Sequence, residues 1–396
     1  MIQVSVVGQG YVGLPLALAA SSCGYKITGI DLDISKVTLL NSGVSLIEDV
    51  PNEELSQSLS SGNYQATTDF NEVTQSACVL ICVPTPLTVD GKPNLTALTD
   101  ALKSVGKNLS AGTLVILEST VEPGTTRDFV APLIEKESGL DRSQYFLAFS
   151  PERIDPNNKQ WGVKNTPKLV AGLNQEATHK AIEFYSKFID TVVACESPEV
   201  AETAKLLENS FRLINISFIN EISMFCRKLG IDVNEVIRVA STKPYGFMPF
   251  FPSIGAGGHC IPVDPLYLAN KSCEIGAPMT MINLADKVNR DIPNFYVQLA
   301  FEKIGELSGR KILVIGISYK VNLADVRETP VSSLIEKLRA RGAKVFWHDE
   351  LVKEWNGETT VSISRDYDLA ILATPHNGID LSKLGATPLI DTRGSV

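Results

Sequence analysis

Ile2-Gln3-Val4-Ser5-Val6-Val7-Gly8-Gln9-Gly10-Tyr11-Val12-Gly13 opens the chain, and Lys26-Ile27-Thr28-Gly29-Ile30-Asp31 follows it one helix length later. The apolar, β-branched run before Gly8 reads as a strand of a parallel sheet, buried on both faces. Residues 14–23 then read as a helix that stops at Gly24, with Pro15 in its first turn, where a missing N–H costs little. Gly8, Gly10 and Gly13 thus fall at a strand-to-helix turn in G-x-G-x-x-G spacing, and Asp31 ends the second strand. Glycines so placed let backbone N–H groups approach a pyrophosphate at a helix N-terminus. A carboxylate at Asp31 accepts hydrogen bonds from an adenosine ribose and repels a 2′-phosphate, so the pattern predicts a site for NAD rather than NADP.

Working outward, strand-length apolar runs recur at residues 77–83, 113–117, 145–149 and 169–172, with polar and helical stretches between them. That alternation predicts a doubly wound parallel sheet over residues 1–195, an NAD-binding Rossmann-like domain. Between Pro198 and Gly230 there is neither Gly nor Pro, and Ala204, Leu207, Phe211, Ile214, Phe218, Ile222 and Phe225 recur at helical spacing. This predicts one long helix, the spine of a central helical domain over residues 196–300 that is broken by a Pro/Gly-rich loop at 244–265. A second α/β unit, residues 301–396, repeats the order of the first: a strand at 311–317 containing Gly316, a helix at 331–341, and a strand at 344–347 leading to Asp349. Further strands are expected at 369–373 and 389–390. The expected fold is α/β: two Rossmann-like, doubly wound parallel-sheet domains joined by the long helix and the helical middle domain.

At 396 residues, 44% hydrophobic and 20% charged, the chain has the composition of a globular protein of several domains. A net charge of −9 argues against a general nucleic-acid binder. No apolar run reaches membrane-spanning length, and the opening strand lacks the charged n-region of a secretory signal, so neither a membrane partner nor export is expected. Seven cysteines, odd in number and never spaced C-x-x-C, with four unpaired histidines, predict no metal site. Reduced thiols in the cytoplasm are the expectation.

Five further stretches carry chemistry. Gly257-Gly258-His259-Cys260-Ile261-Pro262-Val263-Asp264 places a cysteine where a helix could begin, a position that favours a thiolate nucleophile, with Asp264 one turn further on. Read alone, a structural cysteine in a Gly/Pro loop fits this stretch equally well. Lys205 and Asn209 share a face of the long helix and could hold an oxyanion, although two solvated residues would show the same spacing. Ser150-Pro151-Glu152-Arg153, Ser119-Thr120 and Val83-Pro84-Thr85-Pro86 each follow an expected strand, at the sheet edge where ligands gather.

Together these residues resemble the UDP-glucose/GDP-mannose dehydrogenase family nearly end to end. The resemblance also rests on Val121, Pro123-Gly124-Thr125-Thr126, Pro265, Tyr319-Lys320 and Asp325-Val326-Arg327-Glu328-Thr329-Pro330. His259 before Cys260 and Val263 before Asp264 resemble the UDP-N-acetylhexosamine branch. Residues 242–250 are similar to UDP-N-acetylglucosamine 6-dehydrogenases within it.

The resemblance implies an NAD-dependent, four-electron oxidation of a UDP-sugar C6 hydroxyl to the carboxylate, through a thiohemiacetal and a thioester on Cys260. It assigns oxyanion stabilisation to Lys205 and Asn209, proton transfer to Asp264, and placement of the hydrolytic water to Glu152 and Thr120. Cofactor contacts fall at Gly8, Gly10, Tyr11, Val12, Gly13, Asp31, Lys36, Thr85, Thr120, Glu152 and Arg327. Substrate contacts fall at Glu152, Arg153, Lys205, Asn209, Gly257 and Lys320. A homodimer through the long helix is expected. Asn157 departs from the family's usual Gly, and Pro252-Ser253-Ile254-Gly255 from Pro-Gly-Pro-Gly; both touch loop shape rather than reacting groups. Other UDP-sugars (N-acetylmannosamine, N-acetylgalactosamine or glucose), a two-electron 3-hydroxyacid-type dehydrogenase and an NAD-binding scaffold are the alternatives. NADH formed per sugar separates the three classes: two, one or none.

Overall fold

The computed structural model, which describes residues 2–394, turns the opening stretch into β1 (Gln3–Val7) and α1 (Gly13–Ser22) with the glycine turn between them. Then come β2 (Lys26–Ile30), α2 (Ile34–Asn41), α3 (Asn52–Ser60), β3 (Tyr64–Thr67), β4 (Cys78–Ile81), α4 (Thr96–Lys107) and β5 (Leu114–Leu117). After α5 (Ala131–Ser138) follow β6 (Phe146–Phe149), β7 (Lys168–Gly172), α6 (Gln175–Tyr185), β8 (Val192–Ala194) and α7 (Pro198–Leu229). The chain divides into two compact units, one ending at Leu207 and one beginning at Glu208.

The first unit is built on an eight-stranded sheet in the order β3-β2-β1-β4-β5-β6-β7-β8. Its central strands bury both faces: Val4, Val6, Leu80, Ile116 and Ala148 pack on one side, Val7, Ile81, Leu117 and Phe149 on the other. Two-sided burial is why these strands read as unbroken apolar runs. The edge strands β3 and β8 have no such run, since β3 alternates buried and exposed residues, and they escaped the sequence reading.

One expectation needs correction. The sheet is parallel from β3 through β6, but β7 runs antiparallel to β6, pairing Ala148 with Gly172 and Phe149 with Ala171. The connection at 150–167 contains no helix to carry the chain back across the sheet, so β7 enters at the edge where β6 leaves. Lys168, the first residue of β7, therefore lies at the C-terminal edge of the parallel strands.

The second unit holds α8 (Val233–Ala240), α9 (Asp264–Glu274), α10 (Thr280–Ile304), β9 (Lys311–Ile315), α11 (Pro330–Ala340), β10 (Lys344–His348), the short β11 (Glu354–Trp355) and β12 (Glu358–Thr359), β13 (Leu369–Leu372) and β14 (Leu389–Asp391). Its main sheet is parallel, in the order β10-β9-β13-β14. Ile312, Val314, Leu369 and Ile371 pack against residues of α10 and α11. The long helix forms as the sequence predicts, yet Leu207, Phe211, Phe218 and Phe225 of its apolar stripe are exposed in the single chain.

Candidate active site

In the first unit, the glycine turn has the shape its spacing implies. Gly8 takes a φ of 91°, and a Cβ there would stand 2.6 Å from the Cys82 carbonyl oxygen. A Cβ on Gly13 would stand 1.9 Å from the Gly8 carbonyl oxygen, so both positions admit only glycine. Gly10 differs: a Cβ there meets nothing within 4 Å. Val12 caps α1 without a side-chain hydrogen bond, and no acidic residue lies in the first turn. Open space over Gly10, beside a helix N-terminus with no side-chain cap, fits a pyrophosphate. Tyr11 and Val12 are half-buried beside it.

Asp31 completes this arrangement. Its carboxylate accepts from the Gln9 N–H (2.9 Å) and the Asp33 N–H (3.1 Å), and Lys36 Nζ stands 2.8 Å away. Burial pushes the Asp31 carboxyl up, but Lys36 and the backbone donors outweigh it and hold it below its ordinary value. The turn thus offers an ionised acceptor at the end of β2, where the ribose of a dinucleotide would lie, and its residues fit NAD.

The edge formed by the ends of β4, β5 and β6 gathers the next group. Thr85 Oγ1 donates to the Thr120 carbonyl (2.7 Å), tying two of the expected cofactor residues together. Glu152 Oε1 accepts from the Arg153 N–H (2.5 Å) and the Ile154 N–H (2.6 Å). Arg153 turns its guanidinium to the Pro167 carbonyl (2.7 Å). Asn157 takes a φ of 60°, a left-handed conformation that Asn tolerates better than most residues, which explains how it stands in for Gly.

Behind Glu152 lies a buried cluster that the sequence reading missed. Lys168 Nζ contacts Glu118 Oε2 (2.5 Å), the Pro151 carbonyl (3.2 Å) and Glu152 Oε2 (3.5 Å), and the Tyr185 hydroxyl donates to Glu118 Oε1. The available signal was charge at the ends of apolar strands, Glu118 after residues 114–117 and Lys168 before residues 169–172. The reversal of β7 that joins them was not legible.

In the second unit, Asn209 and Asp264 are buried, and Asn209 Nδ2 donates to Asp264 Oδ2 (2.6 Å). Lys205, one turn before Asn209 on α7, is buried as well, so neither is an ordinary solvated residue. Cys260 is exposed and its carbonyl accepts from the Asp264 N–H (2.8 Å). The helix begins later than the sequence suggests: α9 starts at Asp264, and the proline of its first turn is Pro265, not Pro262. Gly258, at a φ of 83°, bends the chain, and one hydrogen-bonded turn from Cys260 to Asp264 closes before the helix starts.

Around that turn, a Cβ on Gly257 would stand 2.8 Å from Tyr319 Cβ and from the Glu328 carbonyl oxygen, so the loop after β9 packs directly on the cysteine loop. The Gly258 N–H donates to the Arg327 carbonyl (3.2 Å), while the Arg327 guanidinium pairs with Asp325 (2.6 Å). Burial first, and then Arg327, hold the His259 imidazole below its ordinary value. Lys320 is half-buried in the same loop. The structure therefore joins Asn209, Asp264 and Cys260 in one chain of contacts, with Gly257 and Arg327 beside it.

Known proteins match along the whole chain. Three profiles of the UDP-glucose/GDP-mannose dehydrogenase family apply: the NAD binding domain at residues 2–189, the central domain at 199–291 and the UDP binding domain at 313–396. The chain is 33% identical to protein CapL of Staphylococcus aureus, over 94% of this chain and 89% of that one. It is 32% identical to the UDP-N-acetyl-D-glucosamine 6-dehydrogenase of Salmonella typhi, over 95% and 90%. A solved UDP-N-acetyl-D-mannosamine dehydrogenase from Pyrococcus horikoshii superposes with a TM-score of 0.91 at 30% identity, covering 99% of this chain and 95% of that one.

Proposed function

The chain belongs to the UDP-glucose/GDP-mannose dehydrogenase family of NAD-dependent oxidoreductases acting on UDP-sugars, and from that premise we propose that it oxidises the C6 hydroxyl of UDP-N-acetylglucosamine to the carboxylate. The glycine turn and Asp31 would hold NAD, two molecules in succession, each of which would supply the acceptor for one hydride. The observation that carries the reaction is the exposed Cys260 one hydrogen-bonded turn from Asp264, whose carboxylate holds Asn209.

In this reading Asp264 takes part in proton transfer, and Lys205 and Asn209 steady the oxygen as charge develops on it. The Cys260 thiolate adds to the C6 aldehyde, and the resulting thiohemiacetal keeps a reactive carbonyl from escaping between the two oxidations. The second oxidation leaves a thioester. Water placed by Glu152 and Thr120 then attacks it, releasing the carboxylate and returning the thiol. Gly257, Lys320 and Arg153 serve the UDP-sugar, and Arg327 the cofactor.

The Gly257-to-Asp264 pattern supports a UDP-N-acetylhexosamine, and the 242–250 stretch supports N-acetylglucosamine among them. N-acetylmannosamine is the second reading, favoured by the Pyrococcus horikoshii relative. We read three domains, residues 1–195, 196–300 and 301–396, in line with the three profile matches. The exposed Leu207, Phe211, Phe218 and Phe225 stripe supports a homodimer along α7, and the scattered thiols support a cytoplasmic enzyme.

A screen of UDP-sugars for NADH formation tests the substrate, and two NADH per sugar is expected. Cys260→Ser tests the mechanism: the fold persists but steady turnover is abolished, because an alkoxide cannot replace the thiolate leaving group at neutral pH. Steady sugar-acid formation at the wild-type rate by this variant overturns the thioester route.

A further inference from the structure

We propose that Lys168 is a positioning residue for Glu152: its ammonium, anchored from behind by Glu118, holds the Glu152 carboxylate in place at the sheet edge and balances its charge. The inference rests on the reading of Glu152 as the group that places the hydrolytic water.

The fold creates the contact. An all-parallel sheet would start β7 at the far edge, whereas its reversal brings Lys168 opposite the segment that follows β6. The pairing continues past the strand ends, where Ser150 Oγ donates to the Leu169 carbonyl (2.7 Å). Lys168 is 4% exposed, and its three ammonium hydrogens face three acceptors: Glu118, the Pro151 carbonyl and Glu152. Glu118 in turn uses one oxygen for Lys168 and the other for the Tyr185 hydroxyl. The ammonium is therefore fixed rather than swinging on its stem.

Glu152 is held on both sides. Two backbone N–H groups fix Oε1, and Lys168 faces Oε2. Rotating the carboxylate away would abandon the backbone donors and the ammonium together.

The charges around the cluster are Glu118 after β5, Glu152 after β6 and Lys168 on β7, with the Tyr185 hydroxyl on α6 and the Cys78 and Cys82 thiols from β4 and its end. Burial pushes Glu118 up to about 7 even with Lys168 against it. Burial pushes Lys168 down, but Glu118 and Glu152 outweigh it and keep the ammonium above its ordinary value. One cation between two carboxylates gives the arrangement a signature that simple packing lacks. A neutral side chain of similar length at 168 keeps the packing but loses the charge that faces Glu152, whereas a guanidinium there keeps it.

The experiment is steady-state kinetics of Lys168→Met, Lys168→Arg, Glu152→Gln and the double variant Glu152→Gln, Lys168→Met, with the UDP-sugar that the wild-type chain oxidises. In Lys168→Met kcat drops by roughly 10- to 100-fold while KM stays within about twofold, and Lys168→Arg restores most of the loss. In the Glu152→Gln background the same Lys168→Met change costs about threefold or less, because the carboxylate it holds is gone.

A kcat of Lys168→Met near that of the wild type, or an equally large loss in the Glu152→Gln background, overturns the proposal. If Lys168→Met does not fold, Glu118→Gln decides: it loosens the ammonium, so kcat falls while KM holds, and a wild-type kcat overturns the proposal equally. Glu152→Gln at wild-type kcat removes the reading of Glu152 itself, whereas a lowered kcat there beside a wild-type kcat in Lys168→Met overturns only the role of Lys168.

Discussion

The two α/β units use the same backbone turn and put it to opposite ends. In each, the glycine after the first strand donates to the residue before an acidic side chain: Gly8 to the Ile30 carbonyl (2.7 Å), Gly316 to the His348 carbonyl (2.8 Å). In each, the next N–H goes to that side chain, Gln9 to Asp31 (2.9 Å) and Ile317 to Asp349 (2.8 Å). There the likeness stops. Asp31 stays partly open, with the half-exposed Lys36 beside it. Asp349 is fully buried and also receives the Leu351 and Val352 N–H groups, Ser318 Oγ and His376 Nε2. Residues 8–12 lead straight into α1, whereas residues 316–329 intervene before α11. A glycine turn with a trailing Asp thus marks the strand end in both units, but only the first leaves its carboxylate partly exposed.

The largest expected effect is at the two aspartates. Asp349→Ala strands three backbone donors and an imidazole in the core, and should cost roughly 3–5 kcal/mol, read as a lowered urea midpoint. Asp31→Ala removes a partly solvated pair and should cost about 1 kcal/mol or less. The pH dependence follows the same line. His376 and the backbone N–H groups outweigh burial and hold the Asp349 carboxyl well below the usual range. Its stabilisation is therefore present above the unfolded carboxylate value of about 4, and is lost as pH falls toward its folded value. Asp349→Asn should flatten the acid limb of a melting-temperature profile. Equal losses at Asp31 and Asp349 would break the comparison.

The glycines come next. Gly316 has a φ of 80°, and a Cβ there would lie 1.9 Å from the Thr374 carbonyl oxygen, so Gly316→Ala should destabilise by about 2–4 kcal/mol. Gly10 has open space around it, so Gly10→Ala should leave the melting temperature unchanged yet weaken NAD binding by about tenfold in calorimetry, because the methyl enters the pyrophosphate's place. A stability loss at Gly10 would show that the open turn is packed like the closed one.

These contrasts also show what the sequence could announce. The Gly8-to-Asp31 stretch was legible because each residue acts locally: strand, turn, helix, carboxylate. The long helix was legible from the unbroken spacing after Pro198. Three features were not. The reversal of β7 depends on a connection without a helix, which leaves no periodic mark, and the Lys168 cluster depends on that reversal. The start of α9 was placed early because Pro262 and Pro265 both suit a first helical turn, and only the bend at Gly258 decides between them. The burial of Asp349 was hidden because His376 reaches it from the end of a strand remote in sequence.

Cofactor choice should follow the open carboxylate. Asp31→Asn should narrow the preference for NAD over NADP by roughly 10- to 100-fold in kcat/KM, because it removes the charge that repels a 2′-phosphate. Lys36, 2.8 Å from Asp31 in the native chain, would then face that phosphate and assist it. Asp31→Asn, Lys36→Met should therefore accept NADP less well than Asp31→Asn alone. A wild-type chain that uses both cofactors equally would mean that the Lys36 pairing already neutralises Asp31.

The smallest effect should lie in the loop that separates Gly316 from α11. The first unit has little room for side chains in its short turn, so in the proposed site it would meet phosphate with backbone N–H groups. The second unit inserts residues 316–329, which carry Lys320 and Arg327, and Arg327 is already paired with Asp325. In a chain of net charge −9, an ammonium in this loop suits the diphosphate of a UDP-sugar, the role proposed for Lys320. Such a contact is made in the ground state and in the transition state alike. Lys320→Met should therefore raise the UDP-sugar KM by about five- to tenfold while kcat stays within about twofold, with NAD affinity unaffected. An unchanged KM would remove Lys320 from the substrate site. A raised NAD dissociation constant would instead assign Lys320 to the cofactor, the role proposed for Arg327 of the same loop.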